Sequence, residues 1–180
     1  MLEPMTFAAL RLAYLFAPAF VANAMPIIAA RIPWLDRWNS PIDERHFGAH
    51  KTWRGLATGM AAAVIVALLQ YALGSTPPFA ALTLFRESVA QSVLIGVLLG
   101  AGALGGDLAK SFAKRALKRP PGSPWIPWDA VDYMIGALLF LWPVYFPHPL
   151  GAVFLLILGP ALSRIANLGS YMIGWKKVWY

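Results

Sequence analysis

Five runs of mostly apolar residues, at positions 6–30, 55–74, 88–106, 129–146 and 150–173, restrict what this chain can fold into more than any other feature. A helix rises about 1.5 Å per residue, so about 20 apolar residues cover the ~30 Å of a bilayer's hydrocarbon. A helix also satisfies its own backbone polar groups, which lipid cannot do. Of the 180 residues, 59% are hydrophobic and 13% are charged, where a water-soluble domain carries about 25% charge. The predicted fold class is an all-α integral membrane protein with five transmembrane helices. It forms a single domain over residues 1–180, because the connecting loops are too short to make a second one. The first run lacks a basic leader and a small-residue cleavage site, so it reads as a retained span and not as a signal peptide.

With five spans, the 31–54 loop, the 107–119 segment and the C-terminus fall on one side. Twelve of the 15 Lys and Arg lie there, all but Arg11, Arg86 and Arg164. The positive-inside rule makes that side cytoplasmic, with the N-terminus outside and the C-terminus cytoplasmic. Multi-pass insertion in the cell's inner (plasma) membrane is the expected localisation. The net charge of +7 and isoelectric point near 10.0 then reflect cations set against anionic lipid, not nucleic-acid binding. Seven of the eight Trp sit at the same face, all but Trp142, as an interfacial aromatic belt does. Six of the eight acids are there too: Asp36, Asp43, Glu44, Asp107, Asp129 and Asp132. Sorting by positive charge requires no acids, so their gathering points to a site. With no cysteine in the chain, disulfides, thiolate chemistry and cysteine zinc sites are excluded.

The third apolar run ends at Gly105-Gly106, and a charged helical segment begins at once. Asp107, Lys110, Ser111, Lys114 and Lys118 follow i, i+3, i+4, i+7 and i+11 spacing, which sets an acid, a hydroxyl and three amines on one helix face. Standing alone, such a stripe is ordinarily a solvated face. Asp129 and Asp132 lie one turn apart where the fourth run starts. Asp129 reads equally as a helix cap, but Asp132 is already entering the bilayer, where a lone carboxylate costs about 2.5–3.5 kcal/mol. Together with Asp107 they offer hard oxygen ligands of the kind Mg²⁺ takes alongside water and phosphate. Lys51 and Arg54 stand where the second run begins. They read either as flanking charge or as a phosphate clamp with Lys110, Lys114 and Arg115. Arg164 and Asn167 share a face of the fifth run. Arg164 lies roughly 15 Å inside the boundary, too deep to snorkel easily, and an arginine there is a functional candidate. Asn23, also inside a span, is a second wall for an anionic group. Pro26 removes a backbone donor and is expected to kink the first span. Glycine pairs at four-residue spacing (Gly55 and Gly59, Gly96 and Gly100, Gly102 and Gly106) read as close helix packing, since neither phosphate-loop nor dinucleotide spacing is met. His148 reads as a turn residue, and His50 as a neighbour of Lys51.

Taken in order, Ala22-Asn23-Ala24-Met25-Pro26, Pro41-Ile42-Asp43, Lys51-Thr52-Trp53-Arg54-Gly55, Gly105-Gly106-Asp107-Leu108-Ala109-Lys110-Ser111-Phe112 with Lys114-Arg115, Gly122-Ser123-Pro124-Trp125, Asp129-Ala130-Val131-Asp132 and Arg164-Ile165-Ala166-Asn167 resemble the CDP-archaeol synthase family, membrane cytidylyltransferases related to the CDP-diacylglycerol synthases. The resemblance covers nearly the whole chain. It implies five transmembrane helices around a cytoplasm-facing polar pocket, and Mg²⁺-dependent transfer of CMP from CTP to an isoprenoid-ether glycerol phosphate with release of pyrophosphate. It places Mg²⁺ on Asp107, Asp129 and Asp132, and the triphosphate on Lys51, Arg54, Lys110 and Lys114, with Ser111 and Arg115 in support. Asn23, Arg164 and Asn167 then face the pocket, with Arg164 on the lipid phosphate. An ester-linked phosphatidic acid as acceptor, a small anion transporter and a non-catalytic scaffold are the other readings. Polar residues confined to one side favour a one-sided pocket over a transport path.

Overall fold

The computed structural model describes residues 5–120 and 123–175, and every regular element among them is helical. The first apolar run is two helices, α1 (Met5–Leu15) and α2 (Ala17–Ala29), which meet at 46°. The bend lies at Phe16, just before Pro18 in the first turn of α2. Proline starts a helix readily there, because its missing N–H would have had no partner. The kink expected at Pro26 is therefore not where the chain breaks: α2 runs through Pro26 to Ala29, and Pro26 packs tightly beside Gly55.

A short 3₁₀ helix (Pro33–Trp38) and a single turn, α3 (Glu44–Phe47), occupy the first polar loop. Next come α4 (Trp53–Leu73), the single turn α5 (Phe79–Leu82), α6 (Val89–Ala116), α7 (Trp128–Leu141) and α8 (Pro149–Met172). Side-chain caps fix the starts of α4 and α6: Thr52 Oγ1 accepts the Gly55 N–H at 3.2 Å, and Ser88 Oγ accepts the Gln91 N–H at 3.1 Å. The 28 residues of α6 extend about 42 Å at 1.5 Å per residue. The span expected at 88–106 thus continues without interruption through the charged segment as one helix. By length and composition α4, α6 and α8 can each cross a membrane, and α1 with α2 makes a fourth if the bent pair counts as one. The expected fourth span, 129–146, differs. Its helix stops at Leu141 after 14 residues, about 21 Å, and the chain turns back through Pro147 and Pro149. Gly122 and the C-terminal lysines Lys176 and Lys177 lie outside the described residues.

At the centre is α6, packed against α7, α4 and α2. Its glycines face the neighbouring backbones. A Cβ on Gly102 would strike the Gly136 carbonyl, and one on Gly106 the Asp132 carbonyl. Small residues let helices come this close, and the close approach sets the antiparallel register in which Asp132 of α7 lies beside Gly106, next to Asp107 of α6. On the other flank Gly96 and Gly100 meet Ala63 and its neighbours in α4. Phe16, Leu99, Met134, Leu141 and Leu155 are fully buried between the helices.

Candidate active site

Three segments distant in the chain meet at the charged end of this bundle. Lys51, just before α4, pairs with Asp107 Oδ2 of α6. Lys110 Nζ, one turn further along α6, lies 3.1 Å from Asp107 Oδ1, 2.7 Å from Asp132 Oδ2 and 3.6 Å from Asp129 Oδ1. Lys114 Nζ, a turn beyond, lies 2.6 Å from Asp129 Oδ1 and donates to the Ser123 carbonyl at 2.9 Å. Asp129 Oδ2 also accepts from the Trp125 N–H at 2.5 Å. Three amines are thus interleaved with three carboxylates, and their formal charges cancel. The cluster is recessed, with the Asp132 side chain 7% exposed and that of Lys110 15%. Charges withdrawn from water to this degree persist only when paired.

A cleft of about 370 Å³ opens over the cluster, within the range of small-molecule sites. Lys110, Ser111, Lys114 and Arg115 of α6 form one wall, with Asp129 beside them. Glu44, Phe47 and the 48–51 turn form the other. That second wall is held in place. His46 and Phe47 pack on Phe112 of α6, with ring centroids 6.1 and 6.4 Å away. Asp43 caps α3 by accepting the His46 N–H at 3.0 Å, and its other oxygen lies 2.7 Å from His46 Nδ1. These hydrogen bonds from His46 hold the Asp43 carboxyl below its usual pKa. A smaller space of about 60 Å³ lies behind Lys51, between Pro26, Gly55, Leu104 and Asp107.

Asp107, Asp129, Asp132, Lys51, Lys110 and Lys114 therefore meet as expected, with Arg115 and Ser111 on the cleft wall. The Ser111 hydroxyl donates back to the Asp107 carbonyl at 2.8 Å. The other expected residues lie elsewhere. Arg54 is 7% exposed and paired with Asp36, so it fastens the 3₁₀ turn to α4 instead of lining the cleft. Asn23 donates to Ser163 Oγ at 3.5 Å, deep between α2 and α8. Arg164 is exposed on α8, and Asn167 is partly buried one turn on. Sequence reading missed the pairing of Asp36 with Arg54, the aromatic stack on Phe112, and a hydrogen-bonded chain between helices. In that chain the Tyr133 hydroxyl donates to the Gly159 carbonyl at 2.8 Å and Ser163 Oγ donates to Tyr133 at 3.3 Å. The one available signal was Gly159 and Ser163 on the same face of α8.

The acidic groups fit a magnesium ion in one particular way. Asp132 Oδ2 is buried, and its close contact with Lys110 is not directed as a hydrogen bond, so that oxygen lacks a well-aligned partner. Asp107 and Asp132 present hard oxygens from either side of Lys110. Asp129 stands apart from them, both oxygens engaged by Lys114 and Trp125. Among the described residues no three His, Asp or Glu enclose an ion by themselves. An ion that takes one or two carboxylates and completes its shell with water and phosphate could be held by Asp107 and Asp132.

Fold and site together define a helical membrane protein with a lysine-lined cleft at one end of its bundle. A CarS-like CDP-archaeol synthase family model matches residues 5–180. The CDP-archaeol synthase of Thermococcus onnurineus is 39% identical over 162 residues, 89% of this chain and 91% of that protein. That of Thermococcus gammatolerans is 38% identical over 164 residues, 89% and 90% respectively. A solved structure described as an intramembrane enzyme for archaeal membrane lipids biosynthesis matches with a TM-score of 0.69 at 27% identity, over 86% of this chain and 91% of that one. The chain belongs to the CarS-like CDP-archaeol synthase family and is a membrane enzyme.

Proposed function

We propose that this enzyme transfers CMP from CTP to an archaeol-type glycerol phosphate lipid and releases pyrophosphate, as a step of phospholipid biosynthesis. The observation that carries this reading is the interleaved cluster of Lys51, Lys110 and Lys114 with Asp107, Asp129 and Asp132, whose three lysines and Asp129 line one cleft. Amines that already hold carboxylate oxygens can exchange them for phosphate oxygens with little rearrangement. An oxygen of the lipid phosphate forms the new bond to the α-phosphorus. The bond from that phosphorus to its β-bridging oxygen breaks, and the electron pair leaves with pyrophosphate. Reactions of this type need positioning and charge neutralisation more than covalent catalysis, and a phosphate nucleophile needs no general base. Lys51, Lys110 and Lys114 orient the triphosphate, with Arg115 and Ser111 on the same wall. Asp107 and Asp132 would hold Mg²⁺, which supplies further neutralisation of the triphosphate. Arg164, exposed on a membrane-spanning helix, suits an anionic head group arriving from the bilayer and not the nucleotide. Asn23 and Asn167 belong to that approach.

The same reading sets a five-crossing, single-domain protein in the plasma membrane, with the N-terminus outside and the cleft facing the cytoplasm. Its support is the excess of Lys and Arg at the cleft end. The direction of α7 adds to it, since α7 runs back from the cleft end before α8 returns to it. The test is transfer of label from α-labelled CTP to an ether-linked archaeol phosphate and to an ester-linked phosphatidic acid, each with and without Mg²⁺. Labelled ether lipid and stoichiometric pyrophosphate, abolished by chelation, are expected. Flux of CTP or phosphate into liposomes without any transfer would replace this reading with the transporter.

A further inference from the structure

The cleft has two chemically different walls. One carries Lys110, Lys114 and Arg115 of α6; the other is α3 and the turn after it, where Glu44 and Phe47 line the same space ahead of Lys51. The amine wall suits a polyanion. Glu44 does not, since a carboxylate in an anion-binding cleft repels the ligand unless it meets a hydrogen-bond donor. The Glu44 side chain makes no ion pair among the described residues, so it is not there to balance a neighbouring cation. Phe47 beside it is locked against Phe112, 6.4 Å between centroids, and α3 is capped by Asp43. The cap and the ring contacts brace this wall against α6.

We propose that Glu44 and Phe47 form the subsite that selects the nucleotide's base, with the Phe47 ring against the face of a pyrimidine and the Glu44 carboxylate accepting from the exocyclic amine of cytosine. This rests on the proposed function, which puts the triphosphate on the lysines and leaves the base the α3 wall of the cleft. An ionised carboxylate only accepts hydrogen bonds. Cytosine presents an N–H donor at the position where uracil presents a carbonyl oxygen, so Glu44 attracts one base and repels the other. A site that hydrogen-bonds one partner discriminates against an analogue that leaves it unpaired. A glutamine can turn either its amide N–H₂ or its carbonyl to the base, and the preference is then lost.

The experiment measures kcat/KM for CTP and for UTP with a fixed ether-lipid phosphate acceptor, in the full-length enzyme and in the Glu44→Gln and Phe47→Leu variants. Glu44 is exposed, so its substitution leaves the fold intact, which a thermal melt of each variant checks. The intact enzyme should prefer CTP. Glu44→Gln should retain transfer while its CTP-to-UTP ratio falls about tenfold or more, as loss of a hydrogen bond to a charged group implies. Phe47→Leu should raise KM for both nucleotides together and leave the ratio in place. An unchanged ratio in Glu44→Gln, or an equal loss with both nucleotides, overturns the assignment while leaving the transfer reaction standing. Absence of CMP transfer by the intact enzyme removes both this inference and the reading beneath it.

Discussion

Lys110 occupies the middle of the carboxylate group, and what it holds together is testable without any ligand. Lys110→Met leaves Asp107 and Asp132 facing each other without their shared counter-ion. Breaking a fully buried pair costs about 3–5 kcal/mol. Because this cluster opens onto a watery cleft, about 2 kcal/mol is expected, read as a drop of several degrees in the thermal midpoint of the detergent-solubilised protein. CMP transfer should fall at least ~100-fold in the same variant, as removal of a transition-state electrostatic contact commonly does. Asp132→Asn separates the metal from the fold. It keeps the shape and weakens one hard oxygen ligand, so the Mg²⁺ concentration for half-maximal transfer should rise several-fold. Full transfer at limiting Mg²⁺ would remove Asp132 from the ion's shell. The Asp107, Lys110, Ser111, Lys114 stripe was legible in the chain because helical spacing alone puts those residues on one face. That Arg54 turns to Asp36 and away from the cleft was not legible, since both readings place a cation at the start of the same helix.

Among the helices, the pairing of α6 with α7 decides where Asp132 sits. Gly102 and Gly136 meet backbone to backbone, so a methyl group at either must push two helices apart. Gly102→Ala and Gly136→Ala should each destabilise the fold by about 1–3 kcal/mol, the usual cost of overpacking, and should weaken transfer by moving Asp132. Gly105→Ala is the control. The added Cβ comes no nearer than 4.0 Å to Phe140 Cζ, and alanine favours a helix interior by roughly 0.8–1 kcal/mol, so that variant should melt no lower than the parent. The melting order of the three variants checks the register directly. The glycine spacing announced close packing within α6, but not which helix would come close. That partner depends on contacts across the chain, which no local pattern encodes. Local pattern misjudged α7 for a similar reason. The apolar residues continue to 146, yet Trp142-Pro143 ends the helix at Leu141, so the last residues of that run are not helical.

For the molecule as a whole, sidedness follows from charge, and the chain's lack of cysteine makes it easy to measure. A single cysteine at Asn39 should react with a membrane-impermeant maleimide only after cells are opened, while one at Ser75 should react in intact cells. The reverse pattern would put the cleft outside and end the proposed orientation. One consequence of the shortness of α7 reaches beyond the protein. A helix of about 21 Å beside partners long enough to cross the full membrane leaves a step in the apolar surface. Lipid around such a step would dimple inward, at a cost of a fraction of a kcal/mol per Å. Thinning beside α7 would shorten the distance that a lipid head group has to move to reach the Asp132 end of that helix.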